Sequence, residues 1–212
     1  MPYSEFLTAS AFSFLEGASS PEALAGAAKA VGHDAVGVAD INTVAGVVRA
    51  HVAAKAAGIR FLPGCRLRLR DAPDVVCYPA DRAAWGRLCR LLSVGKNRAE
   101  KGACDLALAD VREFGEGQVF IAVPPVVLDQ AFEVFVRGAA REWGQKFFVA
   151  AVRRYAADDE ARLARLAEIC ARASSRMLAA NDVLYHAPEL RIVQDVFRCI
   201  QHHCTIEEAG FL

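Results

Sequence analysis

The chain has 212 residues, of which 54% are hydrophobic, so it can bury a sizeable core and is not expected to be disordered. Lys and Arg together number 25, as do Asp and Glu, so the formal net charge is zero. This balance argues against autonomous, tight binding of nucleic acid, which needs a basic surface. The seven cysteines include no CxxC pair, which argues against a zinc ribbon or a disulfide framework and is typical of free thiols.

The sequence predicts neither a signal peptide nor a membrane span. The chain does not open with a basic start followed by an apolar run, and no uninterrupted apolar stretch of about 18 residues occurs. We therefore expect a cytoplasmic protein.

Short apolar runs and helical patterns alternate along the chain. The first helix is expected to begin after Ser20, a candidate N-cap followed by Pro21 and Glu22, and to end near Gly32. Strands are predicted at residues 3–7, 34–39, 59–69 (broken by Pro63-Gly64), 74–78, 119–123, 146–152 and 177–180. Further helices are predicted at residues 43–57, 81–92, 127–143, 158–174 and 188–202, the last with Ile192, Val193, Val196, Phe197 and Ile200 facing inward. The polar, basic segment 95–102 is predicted to be a loop.

This alternation without a run of hairpins predicts a parallel sheet covered by helices. At about 200 residues, a small barrel of (β/α) units and an open doubly wound sheet both fit the pattern. No linker or internal repeat is visible, so we expect a single domain over residues 1–212.

Five segments carry recognisable motifs, in order from one end of the chain to the other. The most specific is WGRLCRLLSVGKNRAEKGACDLALADV at residues 85–111. The others are YSEFLTASAFSFLEGAS at 3–19, VGHDAVGVADINTVAGVVRAHVAAKAAG at 31–58, FLPGCRLRL at 61–69 and ANDVLYHAPELRIVQDVFRCIQHHCTIEEAG at 180–210. Together they resemble the N-terminal PHP domain (polymerase and histidinol phosphatase) of bacterial error-prone C-family DNA polymerases.

The resemblance implies a PHP-type distorted (β/α)7 TIM-like barrel, which is an α/β fold. It also implies a parent DNA-directed DNA polymerase, a nucleotidyltransferase that uses Mg and acts in DNA damage-induced translesion synthesis and repair. The matched residues include no palm, fingers or thumb. Those domains of the parent chain are the expected partners, and accessory mutagenesis-repair proteins are further candidates.

Active relatives hydrolyse phosphoesters with a cluster of Zn or Mn ions, which needs converging imidazoles and carboxylates. In this sequence, most positions that match the family's ligands hold other side chains. Three carboxylates remain while the matched imidazoles and the bridging glutamate are replaced: Leu7 and Ala9 for the opening HxH, Glu16 for Asp, Asp40-Ile41 for Asp-His, Arg66 for the bridging Glu, and Asp182 with Leu184 for the late DxH. His186 belongs to a neighbouring turn motif. We therefore expect no catalytic residue and no metal or other cofactor in this domain.

Three interpretations of the surviving carboxylates remain open. Arg66 is expected to pair with one or more of Glu16, Asp40 and Asp182, and so to replace the lost metal charge. A residual single-metal site is the alternative, and so are ordinary capping and turn hydrogen bonds. The matching alternative for function is a phosphoesterase with a divergent site, either a 3′–5′ exonuclease or a pyrophosphatase.

Other candidate sites have weaker support. Lys96, Arg98 and Lys101 form a basic segment that could lie near nucleic acid, although such short runs are usually solvated. Cys65 as a nucleophile lacks a visible base. A zinc cluster of Cys199, His202, His203 and Cys204 has the wrong spacing, and His33 and His51 are expected at the surface.

Overall fold

The structure, a computed structural model, describes residues 3–210. Its strands are β1 (Ser4–Glu5), β2 (Ala35–Ile41), β3 (Arg60–Leu67), β4 (Val75–Pro79), β5 (Gln118–Ala122), β6 (Phe147–Val152) and β7 (Arg176–Ala180). Its α-helices are α1 (Pro21–Ala30), α2 (Val47–Ala57), α3 (Arg82–Arg98), α4 (Leu108–Glu113), α5 (Gln130–Trp143), α6 (Asp159–Ala173) and α7 (Arg191–His202). These elements fall into two compact units: residues up to 65 together with those from 182 onward, and residues 66–181.

In the first unit, β1 and β2 pair in parallel, with Ser4 opposite Ala35. The small side chains of α1 and α2 bring the two helices close together. Their shared core also includes residues of β2 and of the turn after α2, and comprises Ala25, Ala28, Val36, Ala54 and Ile59. Further along, a parallel bridge joins Thr8 to Val183, so the opening segment pairs with the start of the last segment.

The predicted start of α1 and the predicted end of α2 are confirmed. The Ser20 hydroxyl accepts a hydrogen bond from the Ala23 amide at 3.2 Å, and Pro21 occupies the first helical position. Helix α2 ends at Gly58, whose φ of 65° places it in the left-handed region that glycine adopts without strain. Helix α2 begins at Val47, four residues later than predicted, after a turn.

In the second unit, β5, β6 and β7 are parallel neighbours, but β4 and β5 are antiparallel. The prediction of a parallel sheet is therefore wrong for the pair of β4 and β5. Trp143, the last residue of α5, packs its ring against those of Phe120 and Phe147, with centroid distances of 4.2 and 5.8 Å.

Helix α3 is longer than predicted because it continues through Arg98, so the expected loop at 95–102 is wrong over its first half. The buried Gly95 lies inside this helix. A Cβ at Gly95 would lie 2.6 Å from Leu106, so the glycine allows close packing rather than a chain break. Two further details differ: β3 runs unbroken through Pro63-Gly64, and α4 was not predicted.

The prediction for α7 is right for the helix and wrong for its orientation. Ile192, Val196 and Ile200 were expected to face inward, yet their exposed fractions are 57%, 39% and 51%. Val193 and Phe197 are half-buried. Within residues 3–210, no helix combines the length and apolar character needed to cross a bilayer. All seven cysteines are free thiols, as predicted.

Candidate functional site

Leu7 and Ala9, which were predicted to match the family's opening imidazoles, are buried parts of the core, with exposed fractions of 2% and 4%. Their backbones are tied to the late segment. The Val183 amide donates to the Leu7 carbonyl at 2.6 Å, and the Ala9 amide donates to the Val183 carbonyl at 2.9 Å. The structure thus brings the first and last matched ligand positions side by side, but with apolar side chains at three of the four.

Asp40 lies near the end of β2, fully buried, and its carboxylate is occupied by serine donors. The Ser10 amide and the Ser13 hydroxyl each donate to Oδ1 at 2.7 Å. The Ser10 hydroxyl lies 2.8 Å from Oδ2 and 3.0 Å from Oδ1. Protein donors therefore satisfy the hydrogen-bonding capacity of this buried carboxylate.

These bonds fix the turn of residues 10–19, which the sequence marked as a family motif. The Ser13 hydroxyl also accepts from the Ile41 amide at 3.0 Å, so it bridges the turn to β2. Gly17 is pressed against the turn's own backbone, since a Cβ there would lie 2.2 Å from the Ser10 carbonyl oxygen. The turn is therefore a rigid unit built around the Asp40 carboxylate.

Glu16, the second surviving carboxylate, faces helix α7. Arg198 places Nη1 at 3.6 Å from Oε2, and Gln201 donates from Nε2 to Oε1 at 3.2 Å. The two partners are three residues apart, which puts them on one face of the helix. Neither partner was predicted, although the three-residue spacing of Arg198 and Gln201 within the last motif places them on one face of a helix.

Asp182 comes directly before Val183, which pairs with Leu7 and Ala9, and its φ of 51° places it in the left-handed region. Two residues on, the Leu184 carbonyl accepts from the Ala18 amide at 2.7 Å. His186 is anchored away from the ligand position: its amide donates to the Ser19 hydroxyl at 2.9 Å, and its Nδ1 lies 2.8 Å from that oxygen. The late segment therefore locks the turn of residues 10–19 in place.

Arg66 belongs to the second unit, and within that unit its Nε donates to Asp74 at 2.9 Å. Asp74 was not predicted as a partner of Arg66. Pairing of Arg66 with Glu16, Asp40 or Asp182 stays a prediction. Cys65 is fully buried and its thiol donates to the Asp40 carbonyl at 3.2 Å, as expected of a buried thiol.

The described residues do not fit the metal cluster that the fold family implies. Over residues 3–210, no group of three or more His, Cys, Asp or Glu side chains could hold a metal ion. The donor chemistry explains this result in the first unit, since serines occupy Asp40 and a cation faces Glu16. The described residues likewise form no metal-binding group in the Cys199–Cys204 region, where a zinc cluster was the alternative interpretation.

One residue of the basic segment that could lie near nucleic acid, Arg98, instead forms an ion pair within the chain. Arg98 donates two hydrogen bonds to the buried Asp110, at 2.6 and 2.8 Å. This hydrogen-bonded pair lowers the pKa of Asp110 and raises the pKa of Arg98. Lys96 and Lys101 are exposed, Lys96 on the last turn of α3 rather than on a loop.

Comparison with known families settles the class of this domain. The model of the PHP domain family matches residues 8–141, which is more than half of the chain. The chain belongs to the PHP domain family. An error-prone DNA polymerase of Caulobacter vibrioides is 50% identical to this PHP domain over 210 residues, and error-prone DNA polymerase 1 of Agrobacterium fabrum is 43% identical over 209. Each alignment covers 99% of this chain and 19% of the relative, so the chain spans about a fifth of their length.

Solved structures show the same fold at low sequence identity. A predicted metal-dependent phosphoesterase from Bifidobacterium adolescentis aligns with a TM-score of 0.64 at 14% identity, covering 88% of this chain and 90% of that one. An amidohydrolase from Chromobacterium violaceum aligns with a TM-score of 0.61 at 16% identity, covering 86% and 87%. The predicted family and the predicted PHP-type fold class are therefore confirmed.

Proposed function

We propose that this PHP domain is a non-catalytic structural and interaction module of an error-prone DNA polymerase. One observation carries the proposal: the buried Asp40 carboxylate, which an active relative would offer to a metal ion, accepts hydrogen bonds from Ser10 and Ser13 instead. A metal ion would have to displace these donors and leave buried hydroxyl and amide groups unpaired, which costs about 1–3 kcal/mol for each group.

The matched positions around Asp40 support the same conclusion. Leu7 and Ala9 offer no ligand atoms, and they fill space where imidazoles would stand. Transition metals bind weakly to sites that have oxygen ligands alone. Arg66 replaces the bridging glutamate, and its charge repels cations. We expect Arg66 to complete an internal charge cluster with the surviving carboxylates.

The chemistry of the parent protein would then reside outside this domain. The similar relatives are named as error-prone DNA polymerases, so template-directed nucleotidyl transfer with Mg belongs to the remainder of such a chain. The proposed partners are the polymerase domains of the parent, and beyond them accessory mutagenesis-repair proteins. The proposed setting is translesion synthesis and repair after DNA damage.

Metal analysis together with a hydrolysis assay tests this proposal. We expect the 212-residue chain, purified without chelator, to hold far less than one equivalent of Zn or Mn. It should release no product from phosphomonoesters, single-stranded DNA ends or pyrophosphate when Mn or Zn is added. The Bifidobacterium adolescentis protein of the same fold provides an assay control. Metal-dependent hydrolysis that Asp40→Asn abolishes would instead establish a divergent exonuclease or pyrophosphatase.

A binding assay tests the remaining part of the proposal. Because the net charge is zero and Arg98 is held by Asp110, we expect a gel shift on the 212-residue chain to show little or no DNA binding at physiological salt. Sub-micromolar, salt-dependent binding that Lys96→Ala and Lys101→Ala remove would contradict this expectation.

A further inference from the structure

Helix α7 presents an apolar stripe to solvent. Ile192, Val196 and Ile200 are spaced by four residues, so they lie on one face of the helix over about 12 Å. Their exposed fractions are 57%, 39% and 51%, and Ile206, just after the helix, is 47% exposed. We call these four residues the α7 stripe. Contiguous exposed aliphatic side chains of this kind mark interaction surfaces.

The opposite side of the helix carries polar anchors. Arg198 and Gln201 contact Glu16, and they lie across the helix from the stripe. An ordinary surface helix buries its apolar face and exposes its polar face. In α7, Arg198 and Gln201 make internal contacts, and Val193 and Phe197 are half-buried. Ile192, Val196 and Ile200 are more exposed, so this part of the apolar surface is open to an outside partner.

The size of the stripe indicates what kind of partner covers it. Four half-exposed aliphatic side chains expose roughly 400 Å², which is about half of the ~800 Å² per partner that a stable complex of separate proteins buries. A second copy of this chain would gain too little from so small a patch. A covalently attached domain can pack stably on a smaller buried area, because the linkage raises its effective concentration at the surface.

The relatives supply such an attached domain. The error-prone polymerases that align with 99% of this chain devote 19% of their length to the match, so most of each relative lies outside it. We propose that the α7 stripe is the surface on which the polymerase portion of the parent chain packs against this PHP domain. This inference rests on the proposed function, since it requires the domain to be part of a polymerase.

Photocrosslinking in the full-length parent polymerase tests the inference. A photoreactive phenylalanine analogue is placed at position 200, and a matched control is placed at position 52 on α2, where Val52 is 62% exposed. We expect peptides from outside the PHP domain to crosslink at position 200 and to be nearly absent at position 52. Equal yields at the two positions, or crosslinks from position 200 to a second copy, would overturn the inference.

Paired substitutions give a second measurement that does not depend on crosslinking. Ile192→Lys with Ile200→Lys should leave the melting temperature of the 212-residue chain unchanged, since both side chains face solvent. In the full-length polymerase, the two α7 substitutions should lower the melting temperature by about 2–4 °C. Val48→Lys with Val52→Lys on α2 should leave that melting temperature unchanged. An unchanged full-length protein would refute the docking surface alone, because the metal and hydrolysis assays on the 212-residue chain test the non-catalytic role independently.

Discussion

The buried carboxylate of Asp40 accepts hydrogen bonds from both the amide and the hydroxyl of Ser10, at 2.7 and 2.8 Å. In a hydrolytic PHP domain the matched carboxylate would face metal ions. Here it is a fixed acceptor that ties β2 to the turn of residues 10–19. A carboxylate is costly to bury unless hydrogen-bond donors satisfy it, and Ser10 and Ser13 provide such donors to Asp40.

The serine donors are expected to contribute measurable stability. Replacing Ser13 by Ala removes one donor to Asp40 and one acceptor for the Ile41 amide, and leaves a buried carboxylate less satisfied. We expect Ser13→Ala to lower the free energy of unfolding by about 1–3 kcal/mol, measured by urea denaturation. Ser93→Ala, at an exposed hydroxyl on α3, is the control and should change stability by less than about 0.5 kcal/mol. Equal effects would show that Asp40 does not depend on the serines.

Most of the fold followed from sequence periodicity, and the errors have identifiable physical causes. The polar, basic composition of residues 95–102 predicted a loop, so α3 was expected to end before Gly95. The structure shows instead that Leu106 packs where a Cβ would stand. For α7, periodicity identified which residues share a face, but it cannot tell which face meets the core. The antiparallel pairing of β4 and β5 was missed because strand direction depends on where the chain re-enters the sheet.

The candidate site was predictable only in part, because its carboxylates lie in motifs whereas their partners do not lie nearby in sequence. The motifs located Asp40 and Glu16, but their partners are distant in sequence: Ser10 is 30 residues from Asp40, and Gln201 is 185 residues from Glu16. Such contacts exist only after folding. The substitution pattern predicted that the metal chemistry is lost, whereas the hydrogen-bond partners of Asp40 and Glu16 became visible only in the structure.

The contact between Glu16 and Arg198 is expected to hold α7 in its orientation. The two groups are 3.6 Å apart and partly shielded from solvent, so a double-mutant cycle with Glu16→Gln and Arg198→Met should give a coupling energy of about 0.5–1 kcal/mol. Hydrogen exchange of the α7 amides should accelerate in either single variant. Arg191→Met, which disrupts the exposed pair of Arg191 and Asp195 on the same helix, is the control and should show little coupling to Glu16. A cycle without coupling would mean that other contacts position the helix.

Asp110 should make stability depend on pH. Its hydrogen bonds with Arg98 lower its pKa in the folded state below the value in the unfolded chain. A depressed folded-state pKa stabilises the fold above the unfolded-state pKa, and this stabilisation disappears as the pH falls through the folded-state value. We therefore expect Asp110→Asn to be less stable than the native chain at pH 7, with the difference shrinking below about pH 4. Urea unfolding from pH 7 to pH 3 measures it, and a constant difference would contradict the assignment.

Restoring imidazoles alone should not restore a metal site. Ala9→His places a ring where a buried methyl group stands, so we expect it to destabilise the chain by about 1–3 kcal/mol. A variant with Leu7→His, Ala9→His and Ile41→His should bind Zn weakly in equilibrium dialysis, because Ser10 and Ser13 still occupy Asp40. Adding Ser10→Ala and Ser13→Ala removes the hydroxyl donors to the Asp40 carboxylate and leaves the Ser10 amide. These changes should tighten Zn binding by roughly tenfold or more, if circular dichroism shows that both variants fold. Tight binding by the triple variant without the serine changes would show that Asp40 is already available as a ligand, and the proposed structural role of its hydrogen bonds would then be wrong.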